Sequence, residues 1–476
     1  MPNNPPNFRG KLGGADFTLL VVGAVVGADV YVVAAMGATF LGPAQLVAWV
    51  AAGVLAALIA LAFVQCSAID PDVGGSYTYA RTAFGPLVGF LAGWALYVGE
   101  AVALPVFPLA FVNYFNRLVP GLPASTAIFV KVALVGTVTG VNLLGVRKGA
   151  RLNDVLTVGK LLPLALLIVL GLAFTLTRHG EVSAHLRPFA PLGWGGFGHA
   201  MLPIFWAYAG FELAVLPAGE VSNPQRTLPR GLILGMAIAT VFYLLTAFVV
   251  VGALPWQQAA ASSSPLAAAM TAILKGLGGP TGFGVAFMSL GALISIAGVY
   301  DAFTLGVARL SYALAADGLF PAAFARIHPK FSTPHVGLAF QAAVALIGAT
   351  LFDLRGLITI AVFFLGISYA LTALAALRLV ARHPDSALRL PGLRIGLVLA
   401  ALSGVYLATQ APLTQIGIGA AVMLFGLGLY AVLGTQWRLV GAELHRRERE
   451  AVRWAEHYWW LLISVWRLLR RSQPRI

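Results

Sequence analysis

Between Leu19 and Leu41 the chain reads LLVVGAVVGADVYVVAAMGATFL, within an apolar stretch that begins near Asp16 and is long enough to cross a bilayer. Gly23, Gly27 and Gly37 interrupt it, and its centre holds a carboxylate, Asp29, with no basic residue close by in sequence. Glycine weakens a helix interior by about 1 kcal/mol. An ionised carboxylate at bilayer depth costs roughly 2.5–3.5 kcal/mol even on the most lenient insertion scale. Both are tolerable where the helix is broken and its freed backbone faces protein or water instead of lipid. Pro203 to Leu216, PIFWAYAGFELAVL, offers a counterpart in the second half, with Gly210 and an embedded Glu212. Two glycine-interrupted apolar segments, one per half, are the pattern of a solute site at mid-membrane.

Composition narrows the class. Of 476 residues 59% are hydrophobic and only 10% charged, against about 25% charged in soluble domains, and the mean hydropathy is +0.87. We therefore expect an all-α integral membrane protein with about twelve transmembrane helices. The apolar runs fall near 16–41, 43–66, 87–115, 124–146, 153–176, 197–221, 231–254, 283–310, 334–352, 356–379, 393–410 and 414–435. This fills positions 1–435 with a single transmembrane domain and leaves 436–476 as a basic tail. No cleavable leader is expected, because the first apolar run is too long for a signal core and lacks a small-residue cleavage site.

The net charge of +14 would suit nucleic acid, but its placement argues otherwise. Arg117, Arg178, Arg187, Lys275 and Arg355 are the basic residues on one side of the predicted spans, and Lys131 and Lys160 lie within spans. Most of the rest, including Arg9, Lys11, Arg81, Arg147, Lys148, Arg151, Arg226, Arg230 and the tail arginines, fall on the other. This is the positive-inside bias; it predicts a multi-pass cell-membrane protein with both termini cytoplasmic and no nucleic-acid partner. Cys66 is the only cysteine and the histidines lack metal-ligand spacing, so we expect no disulfide, no metal and no cofactor. Nor does any nucleophile–base pair or nucleotide loop appear, which argues against an enzyme.

Several embedded residues stand out along the chain. Glu100 precedes Pro105 and Pro108 in a span that must bend; it is either a neutral acid hydrogen-bonded inside the bundle or part of the solute path. Lys160 lies just inside the fifth span, where it either snorkels to the headgroups or serves the site. Asp301 sits among small residues in the eighth span. The seventh reads as an ordinary apolar helix, and 255–280 as a surface segment containing a short helix. The last two spans carry no embedded charge and suit scaffold or homo-oligomer contact. In the tail, Trp459, Leu462, Trp466 and Leu469 share one face of a helix that lies on the inner leaflet or packs on the protein's own cytoplasmic side.

FWAYAGFELAVLPAGEVSNPQRTLPRGL (Phe205 to Leu232), GGSYTYARTAFG, NLLGVRKGARLNDVLTVGKLLPL, ARLSYALAADGLFPAAFARIHPKFSTP and LRLPGLRIG occur in that spacing. Together they resemble the amino acid–polyamine–organocation (APC) superfamily, amino acid permease type, over nearly the whole chain to about Gly434. The resemblance implies a LeuT-like five-plus-five inverted repeat, about 16–176 and 197–379, with two further helices at about 393–435. It also implies that helices one and six are broken. It places Gly27, Ala28 and Asp29, with Ala209 and Gly210, at the substrate, and Trp206 as an aromatic gate. It puts Glu212 at a position implicated in proton sensing. Lys160 falls where an ammonium replaces a sodium ion, which implies proton coupling or exchange without sodium. The implied function is alternating-access transport of amino acids or related amines.

Three acids depart from the family pattern. Asp29 replaces a small residue at the break, Asp301 stands where many members have asparagine, and Glu100 precedes Pro105 as an acid does in some polyamine carriers. Either Asp29 pairs with Lys160 and an ordinary amino acid binds, or Asp29, Glu100 and Asp301 form an acidic pocket. The excess of acids favours a cationic substrate such as a basic amino acid or polyamine. A cation channel and a transporter-like nutrient sensor are the alternative readings from other classes.

Overall fold

A backbone in hydrocarbon must satisfy its own hydrogen bonds, and a single segment can do so only as a helix. The computed structural model describes residues 13–27, 29–70, 75–144, 149–214 and 223–433, without the side chains at 16, 20, 24, 149–160, 213–214 and 224–225. Among them every regular element is helical. The tail expected to lie on the membrane, and the boundary at 435, fall outside the described residues, as do Ala28 and the side chain of Lys160.

The first predicted span is divided into α1 (Gly14–Val25), α2 (Asp29–Val33) and α3 (Ala38–Leu41). Next come α4 (Gln45–Ile69), α5 (Ser76–Phe84), α6 (Pro86–Ala103) and α7 (Val106–Leu118). The bend expected in the third span falls between α6 and α7, at Leu104 and Pro105. Then follow α8 (Ala124–Leu144), α9 (Gly149–Thr177) and α10 (His179–His185). The second interrupted stretch gives α11 (Phe197–Trp206) and α12 (Phe211–Ala214). Beyond it lie α13 (Pro224–Ala253), α14 (Trp256–Ala261), α15 (Pro265–Leu277) and α16 (Thr281–Ala316). The chain continues through α17 (His335–Leu351), α18 (Leu354–Arg382), α19 (Leu393–Thr409) and α20 (Leu413–Leu433). The short helix expected within 255–280 is thus a pair, α14 and α15.

Seven helical segments among the described residues are long and apolar enough to cross a membrane, with an eighth if α10 is counted with the end of α9 across a 104° bend. Two predicted spans, α17 and α19, are only 17 residues long, at the short limit for a hydrocarbon core about 30 Å thick. Lipid is the solvent these helices suit: Phe129, Leu176, Leu402, Leu413 and Phe425 are exposed on their outer faces. Where an embedded cation occurs, it finds a carbonyl. Lys131 on α8 donates to the Ala349 carbonyl at the end of α17, at 2.6 Å, a favourable place for a positive charge.

The centre of the bundle is α18, packed against α4, α5, α6 and α19. Small residues let it lie close to α19. A Cβ on Gly404 would stand 2.6 Å from the Ala370 amide nitrogen and the Gly366 carbonyl oxygen, and one on Gly366 would stand 2.7 Å from the Gly404 carbonyl. The two faces form a small-xxx-small contact, Gly366–Ala370 against Gly404–Ala408. Ser368 adds a 3.0 Å hydrogen bond to the Ala92 carbonyl of α6. At one end Arg81 on α5 pairs with Asp317, which caps α16, at 2.6 Å. We expect Gly404→Val to push these backbones apart and to cost about 1–3 kcal/mol. A lower melting temperature of the detergent-purified protein, with Gly428→Val as an unhindered control, would measure it.

Candidate functional site

The two interruptions come together around one side chain. Val26 closes the last turn of α1 by donating to Val22 at 2.7 Å, and helix resumes only at Asp29. After Trp206 the chain continues in tight turns, with Ala207, Tyr208 and Ala209 donating three residues back. Gly210 then adopts φ +110°, a conformation that favours glycine, and α12 begins. The Tyr243 hydroxyl of α13 lies 2.6 Å from the Val25 carbonyl and 3.0 Å from the Ala207 carbonyl. One proton is thus shared between the frayed ends of both segments. Tyr243 is fully buried, with rings of Trp49 at 5.5 Å and Tyr208 at 5.1 Å. Tyr208 in turn donates to the Trp49 carbonyl at 2.9 Å.

Three carboxyl groups gather beside these breaks. Asp29, Glu100 and Glu212 are exposed by only 3%, 6% and 3%. Glu212 Oε2 accepts from the Gly210 amide at 3.0 Å, so the carboxyl caps its own half-helix. The Glu100 carboxyl meets that of Glu212, and Asp29 lies within electrostatic reach of Glu100. The Tyr369 hydroxyl stands beside Glu212. Glu100 and Glu212 each keep one buried oxygen, Oε1, that makes no hydrogen bond of good geometry. Such atoms call for a proton, a water or a bound solute.

An aromatic layer covers the group. Trp206, 1% exposed, packs its ring 5.9 Å from Phe107 of α7, which also lies 5.7 Å from Tyr300 and 5.3 Å from Phe303 of α16. Gly27 is held close to α16, where an added Cβ would stand 3.0 Å from Val299 Cγ2. Ala209 and Gly210 are both buried.

Of the residues singled out by sequence, the structure brings together Gly27, Asp29, Glu100, Trp206, Ala209, Gly210 and Glu212. Asp301 is half-buried and accepts from Asn142 Nδ2 of α8 at 2.7 Å. Ala28 and the Lys160 side chain fall outside the described residues, so the pairing of Asp29 with Lys160 does too. Tyr243, Phe107, Tyr300 and Tyr369 went unremarked in the sequence. A tyrosine in the middle of an apolar run was the available signal, because its hydroxyl needs a partner there. No group of three histidine, cysteine or acidic side chains among the described residues is arranged to hold a metal.

Tyr243→Phe keeps the ring and removes the bridge. We expect it to lose about 1–3 kcal/mol of stability, seen as a lower melting temperature, with a larger drop than Tyr406→Phe on α19, whose ring is partly exposed.

A family model described as amino acid permease matches residues 12–435. The chain is similar to the branched-chain amino acid permease BcaP of Bacillus subtilis (strain 168), 26% identical, over 89% of this chain and 93% of that protein. It is 31% identical to the methylthioribose transporter of the same organism over 68% of this chain and 71% of the relative. The serine/threonine exchanger SteT, also of Bacillus subtilis (strain 168), is 27% identical over 75% of this chain and 80% of its own length.

Proposed function

The chain belongs to the amino acid permease family, and from that premise we propose that it is a secondary active transporter carrying amino acids or related amines by alternating access. The observation that supports this most is the meeting of two interrupted helical segments at a buried group of acids. On this reading the divided segments are helices one and six of a five-plus-five inverted repeat within twelve spans, and both termini are cytoplasmic. Freed backbone and carboxyl groups would face the solute, and Trp206 with Phe107 would close over it.

The acids favour a solute with an ammonium group. Glu212 caps α12 and Asp301 accepts from Asn142; on this reading Asp29 and Glu100 meet the ligand. An ammonium is common to amino acids and to amines. The acid excess supports a cationic solute; the relatives named for branched-chain amino acids and for serine and threonine support a neutral one. Asp29→Asn should weaken binding of amines roughly tenfold or more. A thermal-shift titration of amino acids and polyamines on the wild type and the variant measures this; equal stabilisation of both proteins by amines would refute the acidic-pocket account.

We further propose coupling to protons. Two touching carboxyl groups are most simply accommodated by one proton held between them, and Glu100 and Glu212 are such a pair. Lys160, by family resemblance, would supply the charge of an absent sodium ion. In proteoliposomes an inward pH gradient should stimulate uptake, and Glu212→Gln should abolish that stimulation while counterflow persists. Uptake indifferent to the gradient, with Lys160→Ala unchanged, would refute coupling. Saturable counterflow supports a carrier, whereas ohmic single-channel current would instead mark a cation conductor.

A further inference from the structure

Above the aromatic layer is a second polar space that the mid-membrane site does not use. A cavity of about 140 Å³ lies between α2 and α3, α7, the α14–α15 connection and the start of α18. Thr39, Asn113, Ser262, Ser263 and Arg355 give it polar character, and Val32, Ala35 and Met36 form an apolar wall. It is in line with the acids. Val32 is three residues beyond Asp29 on α2, about one turn. Ala110, also in the lining, is one turn beyond Phe107 on α7. Along α6 and α7, Phe107, whose ring packs on Trp206, therefore lies between Glu100 and this cavity.

Arg355 is the charged group of this space. Its guanidinium lies over the Phe40 ring at 5.2 Å and reaches Thr39 Oγ1 at 3.4 Å. Among the described residues no carboxylate stands within ion-pair distance of it. Asp353, two residues away, uses Oδ2 to accept from the Gly356 amide at 2.9 Å and so caps α18. The Tyr114 hydroxyl is engaged by the Tyr31 carbonyl at 2.7 Å. Asn113 and Ser263 line the same cavity as uncharged polar groups. A planar guanidinium without a protein carboxylate, at the mouth of a small half-apolar cavity, matches a carboxylate ligand. Among the described residues that line the cavity, Arg355 is the one that carries a charge.

We propose that this cavity is an outer docking site for zwitterionic amino acids. Arg355 receives the carboxylate, the ammonium turns toward Asp29 and Glu100, and the ligand waits there before the Phe107–Trp206 layer opens. The inference rests on the transport reading above. It assigns Arg355 a role in capture, outside the mid-membrane site, and it removes the conflict between Asp29 and a carboxylate, since the ligand enters ammonium first.

The test uses the full-length chain in proteoliposomes. The twenty proteinogenic L-amino acids are screened by thermal shift, and the strongest ligand and its decarboxylated amine become the probes. Arg355→Gln should raise KM for the amino acid roughly five- to tenfold with less than about a twofold change in maximal rate. Binding of the amine should be unchanged, and Arg355→Lys should restore part of the affinity. Asn113→Leu, which narrows the cavity without touching the charge, should also raise KM. An unaltered KM in both Arg355→Gln and Asn113→Leu, or an equal loss for amino acid and amine, would overturn the docking site while leaving transport intact. A wild-type protein that takes up none of the twenty would overturn this inference, and one that takes up neither amino acids nor amines would overturn the transport reading with it.

Discussion

Everything in this molecule turns on how a membrane-embedded chain keeps unpaired backbone carbonyls at the ends of α1 and α11. In hydrocarbon each such group costs several kcal/mol. The Tyr243 hydroxyl answers two of them together, at Val25 and Ala207, and the rings of Trp49 and Tyr208 hold it in place. One donor on an unbroken helix thus ties two broken segments to a common reference. Because the same proton is shared, movement of either segment changes the bond available to the other. Tyr243 on α13 is in this sense a fixed post against which the mobile parts of a carrier could swing.

The carboxyl groups follow the same logic. Glu212 accepts from the Gly210 amide two residues before it, so its charge lies at the positive end of a nascent helix. Asp29 is the first residue of α2. Each break therefore carries its own acid, and Glu100 on the continuous α6 stands between them. The Glu212 carboxyl is anchored through Oε2, while its Oε1 makes no hydrogen bond of good geometry.

Much of this could be read from sequence, and the rest could not for a definite reason. The breaks were legible because glycine and an embedded acid violate the local rules of a membrane helix at Gly27–Asp29 and Gly210–Glu212. Glu100 and the bend at Pro105 were legible likewise. Long-range partners were not. Tyr243 lies 218 residues from Val25, and Asp301 lies 159 residues from Asn142. Nothing local distinguishes a tyrosine that bridges two helix ends from one that merely fills the core, nor an acid facing solute from one satisfied by an asparagine.

The partners of the acids bear on how charge would be distributed along the proposed path. Three ionised acids at Asp29, Glu100 and Asp301 would confront any carboxylate with three like charges. Asp301 accepts from Asn142 of α8, and Glu100 and Glu212 face each other. What remains next to the breaks is an acid at Asp29 and a pair that a single proton can neutralise in part. On the transport reading such an arrangement would attract an ammonium without demanding a polyamine, and would tolerate a carboxylate held further out, beyond the Phe107–Trp206 rings. The aromatic layer would then serve two purposes. It would exclude water from the acids, which strengthens their pull, and it would separate the end that attracts ammonium from the end that holds carboxylate.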